Sequence, residues 1–167
     1  MDLKNGNQEF LNKLNTTKEL KDKRDALVKG QHPEVLVITC SDSRVVPEYI
    51  FNCGLGDIFV IRTAGNVINE GELATVEYAI EHLKVKRIVV LGHTHCGAVH
   101  ATIKNEKGQY LDPILNRIRK NIGDISDEFL ASKENAFKEA EYIKEKFPQY
   151  EGIIESKIYD IETSIVS

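Results

Sequence analysis

The sequence predicts an α/β protein with a central, mostly parallel β-sheet of four to five strands, flanked by helices and preceded by an N-terminal helical arm. Three β-branched runs, "EVLVIT", "DIFVIR" and "RIVVLG", have the near-continuous apolar character of parallel strands covered on both faces. The stretch "EGELATVEYAIEHLK" lies between the second and third runs and alternates apolar and charged residues at helical spacing. Strand, helix and strand in this order form a right-handed crossover unit.

The remaining elements follow from hydrophobic spacing along the chain. Up to about residue 30, apolar residues recur at roughly helical intervals and predict one or two helices with a thin apolar stripe, which lies on its own domain or on a partner subunit. The stripe consists of Phe10, Leu11, Leu14, Leu20, Leu27 and Val28. Further helices are predicted at 113–122 and at about 127–147, and the ending "GIIESKIYDIETSIV" predicts one more strand at a sheet edge. A length of 167 residues with 41% hydrophobic and 29% charged residues predicts a single domain, 1–167.

Charge and cysteine content narrow the classes of function. The formal net charge of −4 lacks the basic excess of nucleic-acid-binding proteins, so no nucleic-acid partner is expected. No apolar window resembles a signal peptide or a membrane span, so no membrane association is expected either. The three cysteines are widely spaced and odd in number, which favours thiols in a reducing compartment over a disulfide framework. These observations predict a cytoplasmic protein.

Polar residues follow each of the first three predicted strands. In open parallel sheets the functional crevice lies beyond the carboxyl ends of the strands. "CSDSR" follows the first strand, "TAGN" the second and "HTHC" the third. One edge of the sheet is therefore expected to gather Cys40, Asp42, Arg44, His93, His95 and Cys96.

The cysteines and histidine at this edge predict a zinc site. Zinc prefers thiolate and imidazole ligands, and three protein ligands with a fourth position left open are typical of catalytic zinc. His93 and Cys96 are three residues apart at a strand-to-helix turn, and Cys40 comes from another strand end. Buried thiols that serve only packing are one alternative. A closed structural site with Cys53 as the fourth ligand is another, although Cys53 precedes the second strand and belongs at the opposite end of the sheet.

Asp42 and Arg44 share the loop after Cys40 and predict a carboxylate held by a guanidinium fork. Such a fork fixes the carboxylate orientation and keeps it ionised. Beside a metal, the carboxylate accepts a hydrogen bond from the nucleophile and helps to take its proton. An N-cap aspartate with a surface arginine is the simpler alternative. No essential role is expected for His95 or His100.

Together these motifs resemble a known family. "CSDSR", "GDIFVIRTAGN" and "GHTHCGAV", in this order and spacing, are similar to the motifs of the β-class carbonic anhydrases, and "YDIETSIV" resembles their last strand. The resemblance covers the chain from about Glu34 onward and is strongest to the compact prokaryotic branch. It implies zinc as the cofactor, CO2 and bicarbonate as the substrate pair, and hydration by zinc-bound hydroxide. It also implies a homodimer, or a tetramer built from dimers, whose helical arms embrace the partner.

The resemblance also assigns residues by motif position. It implies metal ligands at Cys40, His93 and Cys96, a catalytic pair at Asp42 and Arg44, and a substrate pocket at Ala64, Gly65 and Gly97. In some members the aspartate leaves its arginine and ligates zinc, so Asp42 is a metal ligand only in such a closed form. Those members resemble one another in a tryptophan three residues before the first zinc cysteine, where this chain has Val37. An open site is therefore expected.

Two other functions fit the same motifs. Relatives of the compact branch include hydrolases of carbonyl sulfide and carbon disulfide with the same metal motifs. A non-catalytic, zinc-stabilised module that senses bicarbonate is the more distant alternative, and it requires a fourth protein ligand.

Overall fold

A computed structural model of the chain describes residues 2–167 and contains one four-stranded sheet. Met1 and the side chains of residues 14–16, including Leu14 of the predicted stripe, lie outside the described residues. The strands are β1 (Val35–Cys40), β2 (Ile58–Thr63), β3 (Arg87–His93) and β4 (Ile153–Tyr159). They are paired in parallel in the order β2-β1-β3-β4. The predicted α/β class is confirmed, and the predicted last strand, β4, lies at a sheet edge.

Seven α-helices and one 3₁₀ turn connect and flank the described strands. The helices are α1 (Leu3–Thr16), α2 (Lys18–Leu27), α3 (Pro47–Ile50), α4 (Glu70–Glu81), α5 (Gly97–Ile103), α6 (Asp112–Ile122) and α7 (Glu128–Lys146). The 3₁₀ turn spans Ala64–Asn66 and follows β2 directly. A capping box formed by Asn69 and Glu72 begins α4, and the Asp127 carboxylate caps α7. The four-residue helix α3 was not predicted, because it is too short to show a hydrophobic period.

The two faces of the sheet are covered unequally. Helices α4 and α7 pack on one face, where Ile38, Ile88 and Val90 lie in the largest apolar cluster. The other face carries α3 and the C-terminal segment, which pack against the buried Val37 and Val89 but leave Val35 and Ile58 only half-buried. A groove of about 330 Å³ remains open along this second face. Within this single chain, the predicted cover on both faces is therefore incomplete.

The N-terminal arm consists of two helices, one of the two predicted alternatives. The described side chains of α1 are all exposed, including Leu3 and Phe10 at 73% and 46%. Helix α2 is tied to the turn before β2, where Lys23 Nζ lies 2.7 Å from Asp57 Oδ1. Within the described residues no helix has the length and apolar content needed to cross a membrane.

Candidate metal centre

The structure brings Cys40, His93 and Cys96 together at the carboxyl end of the sheet. Cys40 is the last residue of β1 and His93 the last residue of β3, and these strands are neighbours. Cys96 immediately precedes α5. The candidate ligand atoms of these three buried residues all lie within 4.8 Å of one another. Parallel strands therefore place residues distant in sequence at one point, as the motif positions predict.

The imidazole of His93 is arranged as a metal ligand would be. Its Nδ1 lies 2.8 Å from the carbonyl oxygen of Thr94, which can only accept, so Nδ1 carries the proton and donates. The other nitrogen, Nε2, then presents a lone pair. It is buried and has no hydrogen-bond partner among the described residues. Buried polar atoms are rarely left without a partner, and a bound cation would provide one.

The two thiols act as a coupled pair. A hydrogen bond from the Cys96 thiol lowers the pKa of Cys40, while the same bond and burial raise the pKa of Cys96. A divalent cation would stabilise both as thiolates, and two sulfurs with one imidazole form a donor set that suits zinc. The residues present therefore fit a zinc ion.

Asp42 and Arg44 form the predicted bidentate pair beside this cluster. Arg44 Nε donates to Asp42 Oδ1 at 3.0 Å and Nη2 to Oδ2 at 2.7 Å, and the Arg44 amide donates to Oδ1 at 2.9 Å. The side-chain hydrogen bond from Arg44 holds the pKa of Asp42 at about 2. Arg44 Nη2 also lies 3.2 Å from the carbonyl oxygen of His95, which ties the β1 loop to the β3 loop. This is the pairing that an open site requires.

A second arginine, not selected from the sequence, holds the same loop. Arg62 in β2 donates from Nε to the carbonyl oxygen of Cys40 at 3.2 Å and from Nη2 to that of Asp42 at 2.7 Å. The signal for it was a single charged residue near the end of the otherwise apolar run "IFVIR". Arg62 therefore fixes the backbone from which both the cysteine and the aspartate project.

The predicted pocket residues lie in the loops around the cluster. Gly65 adopts φ +65°, and an added Cβ would lie 2.8 Å from Cδ1 of Ile118, so only glycine fits there. Its amide donates to Cys40 Sγ at 3.3 Å. Ala64 is half-buried in the same turn, and Gly97 is the exposed first residue of α5.

The other singled-out residues lie away from the three candidate ligand atoms. His95 Nε2 lies 3.1 Å from Glu162 Oε1, and His100 Nδ1 lies 2.6 Å from Glu128 Oε1. Cys53 lines the open groove near the amino ends of the strands. The five steps from Val35 to Cys40 along β1 separate the two ends by about 17 Å, whereas a zinc–sulfur bond is about 2.3 Å. The alternative in which Cys53 completes a closed site is therefore wrong.

The chain is similar in sequence to known proteins. The sequence model of the family described as carbonic anhydrase matches residues 35–161. Carbonic anhydrase 2 of Mycobacterium tuberculosis (strain ATCC 25618 / H37Rv) is 41% identical over 126 residues, which cover 72% of this chain and 61% of that protein. The chain spans 36% to 61% of the length of the first curated relatives that it matches.

Solved structures show the same fold. The β-carbonic anhydrase CafA of Aspergillus fumigatus superposes with a TM-score of 0.83 at 29% identity, covering 97% of this chain and 86% of that one. One of two tetrameric β-carbonic anhydrases from Sordaria macrospora superposes with a TM-score of 0.76 at 28% identity, covering 99% and 93%. The family match contains the sheet and all three candidate ligands. By sequence and by fold, the chain belongs to the β-carbonic anhydrases.

Proposed function

We propose that this protein is a zinc-dependent carbonic anhydrase that interconverts carbon dioxide and bicarbonate with release of a proton. The observation that supports this most is the Asp42–Arg44 pair beside a buried Cys–His–Cys donor set. A purely structural zinc site has no need of a carboxylate fixed by a fork next to the metal. Cys40, His93 and Cys96 would hold the zinc, leaving a fourth position for the reacting molecule.

Asp42 would orient the nucleophile through one oxygen. Each carboxylate oxygen accepts about two hydrogen bonds. Oδ1 accepts two from Arg44, whereas Oδ2 accepts one and retains a free acceptor position. A nucleophile that donates to Oδ2 would be held in one orientation beside the candidate ligands. Zinc, when bound, supplies that nucleophile by making a coordinated water acidic enough to ionise near neutral pH.

The first prediction is a rate of CO2 hydration that rises from about pH 6 toward alkaline pH. Two thiolates donate more negative charge to the metal than imidazoles do, which leaves the nucleophile less acidic than in an all-histidine site. The pKa of Asp42, about 2, lies below its ordinary value, so this carboxylate stays ionised at every pH above about 4. The rise with pH therefore reports the nucleophile and not Asp42. Stopped-flow hydration with a pH indicator, with zinc content assayed on the same sample, measures it.

The measured rates also distinguish CO2 hydration from the alternative functions. A rate that falls steadily from neutral to alkaline pH would contradict the mechanism. A zinc-loaded protein that hydrates no CO2 but hydrolyses carbonyl sulfide would favour the hydrolase alternative on the same site.

We also propose that the protein works as a homodimer, or a tetramer of such dimers, with α1 packed on the partner subunit. An isolated helix of 14 residues is marginal in water, and the described side chains of α1 are exposed in the single chain. The Sordaria macrospora relatives are tetrameric, which agrees with an oligomer.

Phe10→Asp is expected to weaken this association, because it places a charge on the apolar side of α1. We expect sedimentation velocity to show dissociation to monomers at concentrations where the parent protein is dimeric. Phe137→Asp is the matched control, since Phe137 on α7 is exposed to 44% against 46% for Phe10. Equal dissociation of both variants, or of neither, would argue against the arm as the contact.

A cytoplasmic location is proposed as well. The candidate ligands Cys40 and Cys96 are free thiols close enough to be oxidised together, and metal binding needs them reduced. A reducing compartment maintains that state.

A further inference from the structure

A buried polar network lies behind the metal centre, between α6 and α7. It consists of Arg117, Asn121, Asn135 and Glu139, and we refer to it as the Asn–Glu network. Asn135 and Glu139 are fully buried. Burial of such groups is costly unless each is hydrogen-bonded, so the partners of these side chains define what the network holds in place.

The hydrogen bonds form one continuous path that ends at the turn after β2. Arg117 donates from Nε and Nη2 to the two oxygens of Glu139 at 2.7 and 3.0 Å. Asn121 Nδ2 donates to Glu139 Oε1 at 2.7 Å and to Asn135 Oδ1 at 2.9 Å. Asn135 Nδ2 donates to the carbonyl oxygen of Gly65 at 2.8 Å.

The two ends of the path fix the orientation of both amides. The Gly65 carbonyl can only accept, so Asn135 must present its NH2 group there and its oxygen toward Asn121. Asn121 must then donate, and the Glu139 carboxylate, already paired with a guanidinium, accepts from it. Reversing either amide would set two acceptors or two donors against each other.

The end of the path farthest from Gly65 is fixed by an ion pair between Arg117 and Glu139. Both Glu139 oxygens are engaged by the Arg117 fork, and the Arg117 guanidinium lies 4.0 Å from the centre of the Tyr142 ring. Asn135 is therefore restrained by a paired group that does not itself contact the metal centre.

Gly65 connects this network to a candidate metal ligand. Its carbonyl accepts from Asn135, while its amide donates to Cys40 Sγ at 3.3 Å. With φ at +65° and no side chain, its backbone has little intrinsic restraint. The carbonyl and the amide belong to adjacent peptide planes, so the hydrogen bond from Asn135 restricts the backbone rotation that would carry the amide away from Cys40 Sγ.

We propose that Asn135 is a positioning residue for the metal centre, which holds Gly65 so that its amide donates to the Cys40 sulfur. This inference rests on the proposed zinc binding. An N–H donor stabilises the thiolate form of a cysteine and orients its sulfur. The loss of such an outer partner typically costs about 10–100-fold in metal affinity.

The test is the zinc dissociation constant, measured by competition with a chromophoric chelator. We expect Asn135→Ala to bind zinc more weakly than the parent protein, by up to about 10-fold, because Asn135 acts on Cys40 through the Gly65 amide, which the variant retains. Asn121→Ala, which removes one restraint from Asn135 without touching Gly65, is expected to show a smaller loss, and it serves as the test if Asn135→Ala does not fold. Hydrogen exchange of the Gly65 amide, followed by NMR in the zinc-loaded protein, should accelerate in both variants.

A matched control separates positioning from general stability. Ile143→Val removes one methylene from the apolar side of the same helix, where Ile143 is fully buried. We expect it to lower the unfolding midpoint while leaving zinc affinity and Gly65 exchange unchanged. Parent-like zinc affinity in Asn135→Ala, or an equal loss in Ile143→Val, would overturn the positioning role alone. A parent protein that binds no zinc would overturn the proposed function together with it.

Discussion

Arg44→Ala is expected to lower the turnover number for CO2 hydration by at least about 100-fold while the protein keeps its zinc. Arg44 provides every hydrogen bond that fixes the Asp42 carboxylate in the described structure, two of them from its side chain. Without the fork the carboxylate is free to rotate or to approach the metal, and in either case the nucleophile loses its acceptor. Stopped-flow hydration and zinc content, measured on the same preparation, test both halves of the prediction.

Two further variants separate geometry from charge. Arg44→Lys keeps the positive charge but replaces the planar fork by a single ammonium, so we expect it to restore only part of the rate. Arg87→Ala removes a guanidinium of similar exposure from a remote pair with Glu155, at the opposite end of β3, and should leave the rate unchanged. Full activity in Arg44→Ala would mean that the Asp42–Arg44 pair has no role in catalysis.

Arg44→Ala should also lower the free energy of unfolding above about pH 4 and have little effect near pH 2. The pKa of Asp42 in the folded protein, about 2, is lower than its ordinary value near 3.9. The pair therefore contributes stability above about pH 4, and this contribution is lost as the pH falls toward 2.

Cys40→Ser is expected to weaken zinc binding by more than the roughly 10–100-fold that removal of an outer partner costs. The substitution replaces a soft thiolate by a hydroxyl that zinc binds poorly. The thiolate also accepts a hydrogen bond from the Gly65 amide. Metal analysis after dialysis against a chelator should find zinc in the parent protein and little in the variant, with CO2 hydration lost in parallel.

Cys53→Ser provides the matched control for this experiment. Cys53 is half-buried at the other end of the sheet, where burial raises the pKa of its thiol. We expect this variant to retain zinc and activity. Unchanged zinc in Cys40→Ser, or equal loss in both variants, would contradict the ligand assignment.

The pattern of hydrophobic residues, continuous in the strands and periodic in the helices, was sufficient to predict most of the fold. The β-branched runs that became β1, β2 and β3 were predicted to within one residue, because buried parallel strands need continuous apolar sequence. The hydrophobic pattern could not predict the strand order β2-β1-β3-β4 or the unequal cover of the two faces, because both depend on how separate elements pack.

The sequence by itself determined which residue types reach the functional edge, because a residue that ends a parallel strand must lie there. Cys40 and His93 each end a strand, and motif order alone connected them with Cys96, Asp42 and Arg44. Only the tertiary structure decided what supports that edge. Asn135 is 70 residues from Gly65 in sequence and sits within an ordinary amphipathic helix, so no local pattern marks it. Its role arises because the tertiary structure brings Asn135 of α7 within hydrogen-bond distance of the Gly65 carbonyl, and hydrogen bonds between such distant elements are set by packing and not by sequence spacing.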